Sequence, residues 1–262
     1  MGRFIIIAIL LSIVFIYLYR FINKRKHIFT QYHLYTLILN ITSLYILSKM
    51  IEDVLDGELI TKIDAWIHSH TIYLWNPGWE KIMVFITNIA SVWSLFILSA
   101  ILFLTLLYKK KWYYSLLFLL SMIGGLLFEF LIKLIIHRPR PEDALVTVSG
   151  YSFPSGHATM SLLFFSVLLY AFKDDIKNKI LRNVFITSNI IAFLLIGFSR
   201  IYLNVHWLSD VLAGFSLGLF WLTLLILIFQ ATISLSKRTA KKLAHGVQYI
   251  QQFIVRTRKK ER

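Results

Sequence analysis

The sequence predicts an all-α protein, a polytopic bundle of transmembrane helices. Hydrophobic residues make up 58% of the 262-residue chain and the mean hydropathy is +0.69, whereas a soluble domain is roughly 45–50% apolar. The apolar residues are collected in blocks of about 20, the length that crosses roughly 30 Å of hydrocarbon as a helix. The chain contains no cysteine, which excludes disulfides and thiolate metal sites.

Several apolar stretches are long enough to span a bilayer. The first follows Arg3 like a signal peptide, but no small-residue cleavage site comes after it and basic residues flank its far end, so we expect an uncleaved anchor helix. We divide the chain into an N-terminal anchor helix and basic loop (1–30), a transmembrane domain of six helices (31–231) and a basic tail (232–262). The predicted spans are about 4–22, 31–51, 82–108, 112–136, 156–173, 182–199 and 207–231.

The charge distribution predicts how the helices are oriented. The net charge of +15 comes from basic residues in short loops and in the tail, which fits membrane orientation better than nucleic-acid binding. Basic stretches at 24–26, 109–111, 173–182 and after 237 fall on one side, which the positive-inside rule makes cytoplasmic. The opposite segment, about 52–81, is acidic. We therefore expect a multi-pass protein of the cell (plasma) membrane.

The tail beyond about 237 has two interpretations. Leu243, Val247, Ile250 and Ile254 recur at helical spacing among basic residues, a pattern typical of an amphipathic helix lying on anionic lipid. The same composition also fits a disordered basic tail, and the sequence favours neither interpretation. The sequence does not indicate an oligomeric state.

Three polar clusters lie at the ends of apolar spans on the predicted outer side. A charged side chain at bilayer depth is costly, so such residues usually have a function. The simplest function for cations, histidines and a carboxylate together is a site that binds a phosphate and transfers it. The clusters are Lys133 with Arg140-Pro141, Pro154-Ser155-Gly156-His157, and Ser199-Arg200 with His206 and Asp210.

His206 and Asp210 have the spacing of a nucleophile and its partner. Because they lie four residues apart where a helix begins, they share one face, and a carboxylate on one imidazole nitrogen leaves the other free to attack. Taken alone, a helix cap is the more common reason for such a pair. Arg200 suits a bidentate grip on phosphate oxygens, although a single arginine often extends to the lipid headgroups.

The other two clusters would supply positive charge and a proton donor. Lys133 and Arg140 would place two cations over one anion, and Arg138 is expected to point in a different direction from Arg140. Glu129, four residues before Lys133, would instead pair with it. In the tetrapeptide that ends at His157, backbone N–H groups at a helix N-terminus would bind the anion, and the imidazole would protonate a leaving group. An ordinary serine cap with an incidental histidine explains that tetrapeptide alone equally well.

Together these residues resemble the three signature motifs of the type-2 phosphatidic acid phosphatase (PAP2) superfamily, complete and in order. The resemblance covers about 80–231 and implies a membrane lipid phosphate phosphatase of bacterial type. It leaves the first helix and the basic tail outside the family domain. The motifs are Lys133-x6-Arg140-Pro141, Pro154-Ser155-Gly156-His157 and Ser199-Arg200-x5-His206-x3-Asp210.

The resemblance implies a role for each motif residue. His206 would attack phosphorus and form a phosphohistidine, Asp210 would orient it, and His157 would protonate the leaving alcohol and then activate water. No metal or other cofactor is implied. Glu129 stands where asparagine is usual in bacterial members, which would weaken the pull of Lys133 on phosphate. The phosphate would be bound by Lys133, Arg140, Ser155, Gly156 and Arg200.

The sequence leaves the substrate open. A site at the outer edge of the bilayer suits a lipid phosphate that enters sideways, such as phosphatidylglycerophosphate, phosphatidic acid or undecaprenyl diphosphate. A phosphotransferase would pass the same phosphoryl group to a sugar or lipid acceptor. An anion transporter is a more remote interpretation, because it would predict inverted repeats or helices broken near the midplane, and the sequence shows neither. Complete motifs argue against an inactive scaffold.

Overall fold

The computed structural model describes residues 31–233 and five positions of the N-terminal segment, residues 6, 9, 13, 16 and 17. The predicted first span, apart from those positions, and the basic tail beyond 233 lie outside the described residues. Within 31–233 the chain is helical and contains no strand, so the all-α prediction is confirmed. The α-helices are α1 (Gln31–Asp56), α2 (Leu59–Thr71), α3 (Pro77–Ile89), α4 (Val92–Tyr108), α5 (Trp112–Ile136), α6 (Gly156–Phe172), α7 (Lys179–Tyr202) and α8 (Leu208–Ile233).

Five of these helices are individually long and apolar enough to cross a membrane: α1, α5, α6, α7 and α8. The pair α3 and α4, which are bent by 46° relative to each other at a short break, forms a sixth candidate span if the two helices cross together. The sequence predicted one continuous helix over 82–108, and this is wrong at Ala90 and Ser91. The Ser91 side chain accepts a hydrogen bond from the Ser94 backbone N–H and caps α4 there, because serine at a helix N-terminus satisfies a donor that the helix itself leaves free.

The acidic segment 52–81 is largely helical and packs on the bundle end. Gly57, with φ of 66°, turns the chain between α1 and α2, a conformation that costs glycine nothing. Asn76 caps α3, with Pro77 in its first turn. Trp75 Nε1 donates to the Tyr202 carbonyl at 3.1 Å. These contacts fix α2 and the start of α3 against the end of α7.

The bundle core brings the polar ends of the later helices together. A buried apolar cluster joins α4, α5, α6 and α8, with Leu106, Leu117 and Leu163 fully buried in it. The helix α8 lies against the start of α6, where a Cβ on Gly214 would come within 2.6 Å of the Ser155 carbonyl oxygen. The absence of a side chain at Gly214 therefore allows the second and third motifs to meet.

Candidate active site

The three predicted clusters converge at one end of the bundle, where α5 and α7 end and α6 and α8 begin. They border a cavity of about 600 Å³. Its polar end is lined by Lys133, Arg140, Gly156, His157, Arg200 and His206, together with Glu129. Two other predicted residues do not line it: Ser155 and Asp210 lie behind the cavity wall.

His206 and Asp210 form the buried pair that their spacing predicted. His206 Nδ1 lies 3.3 Å from Asp210 Oδ2, and the two residues are 3% and 0% exposed. The same carboxylate oxygen accepts the Trp207 backbone N–H at 2.9 Å. Asn204, at φ of 54°, makes the left-handed turn that brings the chain from α7 into α8, a conformation that asparagine tolerates better than most residues.

The hydrogen bonds of His206 assign its tautomer. Arg140 Nη1 lies 3.1 Å from His206 Nε2, and a guanidinium can only donate, so Nε2 is the accepting nitrogen and Nδ1 carries the proton toward Asp210. Burial lowers the pKa of His206 to about 4, although Asp210 opposes the shift. The imidazole is therefore neutral near pH 7, with the lone pair of Nε2 directed at Arg140 and the cavity.

Arg140 holds the loop beside His206. Besides His206, its guanidinium donates to the carbonyls of Val205 at 2.8 Å, Gly150 at 2.9 Å and Tyr151 at 3.2 Å. Burial lowers the pKa of Arg140, and Asp210 and Glu129 act against this shift. An arginine remains protonated across the physiological range, so it presents a fixed positive charge next to Nε2.

Arg200 is not extended toward headgroups. It is 3% exposed, and its Nη1 donates to Thr87 Oγ1 at 2.6 Å. Its Nε has no hydrogen-bond partner among the described residues. A buried guanidinium with a free donor beside a cavity is suited to an anionic ligand, because an unpaired buried donor is costly.

Lys133 takes part in the pair expected from its spacing and also lines the cavity. Its Nζ lies 2.6 Å from Glu129 Oε1. Glu129 in turn lies against the start of α6, where a Cβ on Gly156 would come within 2.5 Å of that carboxylate oxygen. A larger residue at position 156 would therefore displace the Glu129 carboxylate. The cavity's polar end contains one carboxylate among three cations.

Ser155 differs from its prediction. It occupies the N-cap position of α6 without capping it, and its Oγ is buried with no partner among the described residues. Its backbone N–H donates to the Asp210 carbonyl at 2.9 Å, so it joins the second motif to the third. His157, one turn into the same helix, lines the cavity. A phosphate role for Ser155 stays a prediction.

Two functional-site residues were missed by the sequence analysis, Asp64 and Thr87. Asp64 lies on α2 in the acidic segment 52–81 and is 2% exposed. It receives a hydrogen bond from Arg138 Nη2 at 2.7 Å, while Arg138 Nη1 donates to Asp210 Oδ1 at 2.6 Å. Arg138 and Arg140 thus point in different directions, as expected. The only sequence signal for Asp64 is that it is a single carboxylate in an apolar helical stretch.

The described residues offer no group of three or more histidines and carboxylates arranged to hold a metal ion. The site's positive charge comes from side chains. The fold and site therefore define a class: a multi-pass helical membrane protein with a buried histidine–aspartate pair facing a cationic, partly apolar cavity.

The PAP2 superfamily model matches residues 114–234. Phosphatidylglycerophosphatase B of Bacillus subtilis is 31% identical over 180 residues, which cover 68% of this chain and 88% of that protein. The chain belongs to the PAP2 superfamily, and the resemblance drawn from its motifs is confirmed.

Other relatives agree with this assignment. Undecaprenyl-diphosphatase BcrC of Bacillus subtilis is 33% identical and is aligned over 53% of this chain and 69% of its own length. The crystal structure of a transmembrane PAP2-type phosphatidylglycerolphosphate phosphatase from Bacillus subtilis superposes with a TM-score of 0.64 at 27% identity, covering 73% of this chain and 96% of that one. The transmembrane PAP2 fold is therefore shared.

Proposed function

We propose that this protein is a membrane lipid phosphatase that hydrolyses a phosphomonoester or diphosphate on a lipid through a phosphohistidine intermediate. One observation carries the proposal: away from His206 and the cations, the wall of the cavity is mostly apolar. That wall comes from α4, α5 and α6, and it includes Phe96, Ala100, Phe103, Phe118, Met122 and Met160. A lipid phosphate has the same two chemistries, a charged head and a hydrocarbon chain.

In the first step the lone pair of His206 Nε2 forms a bond to phosphorus while the bond from phosphorus to the leaving oxygen breaks. His157 gives its proton to that oxygen, so the lipid leaves as an alcohol, or as a lipid monophosphate when the substrate is a diphosphate. Asp210 accepts a hydrogen bond from the Nδ1–H of His206 and stabilises the positive charge that the attacking imidazole acquires.

In the second step water attacks the phosphohistidine. His157, now neutral, takes a proton from the water as its oxygen bonds to phosphorus, and the bond from phosphorus to Nε2 breaks to release inorganic phosphate. Lys133, Arg140 and Arg200 stabilise the charge on the equatorial oxygens in both steps. The free backbone N–H groups at the start of α6, at Gly156, add a helix N-terminus to this anion site.

The names of the relatives support two substrate types, phosphatidylglycerophosphate and undecaprenyl diphosphate, and phosphatidic acid has the same head chemistry. We place the site on the extracytoplasmic face. Lys111 precedes α5 and pairs with Asp175 at 2.8 Å, in the basic region that the positive-inside rule assigns to the cytoplasm. The site lies at the other end of α5.

The first experiment measures phosphate release by the purified chain in detergent with EDTA, from phosphatidic acid, phosphatidylglycerophosphate and undecaprenyl diphosphate. We expect release from at least one lipid, because side chains supply the charge that binds phosphate, and none from His206→Ala. Release that depends on added magnesium would reject a metal-independent reaction. Phosphate transferred to an added lipid or sugar acceptor, with none released, would make the protein a phosphotransferase.

A matched pair of variants tests the apolar part of the cavity. Ala100 lines it, whereas Leu104, one turn further along α4, is 63% exposed on the outside of the bundle. Ala100→Trp should raise the KM for lipid substrates and leave turnover of a water-soluble aryl phosphate unchanged. Leu104→Trp should change neither. Equal behaviour of the two variants on lipids would reject the cavity as the lipid-binding site.

A further inference from the structure

We propose that Asp64 and Arg138 are positioning residues that hold Asp210 in the orientation in which it directs His206 at the substrate. This inference rests on the proposed function, because it concerns the same nucleophile. It extends the site to α2, which lies outside the segment 114–234 that matches the family model.

The guanidinium of Arg138 bridges two buried carboxylates. Its Nη1 donates to Asp210 Oδ1 at 2.6 Å and to Ser209 Oγ at 2.6 Å, and its Nη2 donates to Asp64 Oδ2 at 2.7 Å. The Arg138 side chain is itself 10% exposed, and its charge lies 5.3 Å from the Trp207 ring centre. Arg138 is therefore fixed on several sides, as the planar fork of a guanidinium allows.

This bridge assigns a separate task to each oxygen of Asp210. Oδ1 accepts from Arg138, so Oδ2 is left to face His206 Nδ1 and the Trp207 backbone N–H. Without Arg138, only the contacts of Oδ2 with His206 and Trp207 would hold the carboxylate. The orientation of the imidazole, and with it the direction of the Nε2 lone pair, depends on this carboxylate.

Asp64 holds the bridge from the other side. Its Oδ1 accepts the Ser209 backbone N–H at 2.9 Å, and its Oδ2 accepts both Ser209 Oγ and Arg138. The first turn of α8 is thereby tied to α2 one residue before Asp210. Asp64 also balances the charge of Arg138, which would otherwise be shared with Asp210 alone. Removing one partner from a buried charge network leaves the others uncompensated.

The test compares Asp64→Asn with wild type in the full chain, using kcat and KM for an aryl phosphate and the inhibition constant of inorganic phosphate. We expect kcat to fall about 10- to 100-fold, the range typical of groups that orient a functional histidine, with KM and the phosphate constant within about threefold because Lys133, Arg140 and Arg200 are untouched. Asp53→Asn is the matched control: Asp53 is a buried carboxylate, 5% exposed, that pairs with Lys49 on α1. It should keep wild-type kcat.

A conservative series at Arg138 separates positioning from general packing. Arg138→Lys keeps a charge near Asp210 and should retain more kcat than Arg138→Gln. The double variant Asp64→Asn/Arg138→Gln should lose less than the product of the two single losses, because Asp64 acts on Asp210 partly through Arg138. Additive losses, or a KM and phosphate constant that rise together with the loss of kcat, would overturn the inference.

Folding and function are controlled separately. If Asp64→Asn has no thermal unfolding transition, the comparison of Arg138→Lys with Arg138→Gln takes its place, and wild-type kcat in Arg138→Gln overturns the inference. Wild-type release that requires His206 but survives Asp64→Asn unchanged rejects this inference alone. Absence of any His206-dependent release from the wild type rejects the proposed function itself.

Discussion

The two halves of the transmembrane domain contribute different things to one site. The carboxy-terminal half, α5 to α8 with the loop between α5 and α6, carries every motif residue. The amino-terminal half, α1 to α4, carries none of them, yet Asp64 on α2 binds Arg138, Thr87 on α3 binds Arg200, and α4 forms one wall of the cavity. The reacting groups and the groups that hold them therefore come from different parts of the chain.

This division explains why sequence patterns reveal the site residues of one half and miss those of the other. A motif residue needs a fixed neighbour, such as Asp210 four residues from His206 or Glu129 four residues from Lys133, so its spacing is visible in the sequence. A supporting residue needs only to reach its partner across a packed interface. Thr87 and Arg200 are separated by 113 positions, and nothing local marks the threonine.

The largest effect is expected from the carboxy-terminal half. His157→Ala removes the proposed proton donor, and general acid–base groups typically contribute about 10²- to 10⁴-fold, so kcat for lipid phosphates should fall in that range. An aryl phosphate with a good leaving group should lose much less, since it needs no proton. Measuring kcat on both substrate types checks this, and equal losses would contradict the role of His157.

A smaller effect is expected from the amino-terminal half. Thr87→Val keeps the side-chain shape but removes the acceptor of a charged donor, which is worth roughly tenfold in kcat/KM. Thr223→Val is the matched control, because Thr223 is buried on α8 and accepts from Asn40 Nδ2 at 2.9 Å. If the two variants have the same activity, Thr87 does not contribute to the site.

Glu129, the carboxylate among the cations of the cavity, should weaken phosphate binding, so removing its charge should strengthen it. Glu129→Gln frees Lys133 from its ion pair and removes a negative charge near the proposed phosphate position. KM and the phosphate inhibition constant should therefore fall by about three- to tenfold, a modest change because solvent screens charges at the mouth of a cavity. Glu142→Gln, on an exposed loop residue, controls for net charge. Weaker phosphate binding in Glu129→Gln would show that Glu129 supports the site.

The last expectation is a pH midpoint for His206. Burial lowers its pKa to about 4, so the folded protein disfavours the protonated imidazole and the nucleophile stays neutral down to that pH. Between the ordinary value near 6.5 and 4, falling pH should destabilise the fold, since the unfolded chain binds the extra proton. Histidine NMR of the wild type, with His206→Gln spectra subtracted, measures the midpoint; a value near 6.5 would contradict the burial of His206.

Much of the fold and the reacting residues could be predicted from sequence. Apolar length located the spans from α1 onward, and motif spacing located His206, Asp210, His157 and the cations. The break at Ala90 was missed, because a serine cap inside an apolar run does not interrupt hydropathy. Ser155 was expected to bind phosphate; its hydroxyl is buried with no partner among the described residues, and this role stays a prediction.

By itself the sequence determined the class of protein, its helices and the candidates for the reacting groups, because hydrophobic length and short-range spacing are local properties. The tertiary structure alone decided which nitrogen of His206 carries the proton, which of two neighbouring arginines faces His206, and that a carboxylate 74 positions before Arg138 pairs with this arginine. These are contacts across packed helices. They depend on how several apolar faces fit together, which no local pattern encodes.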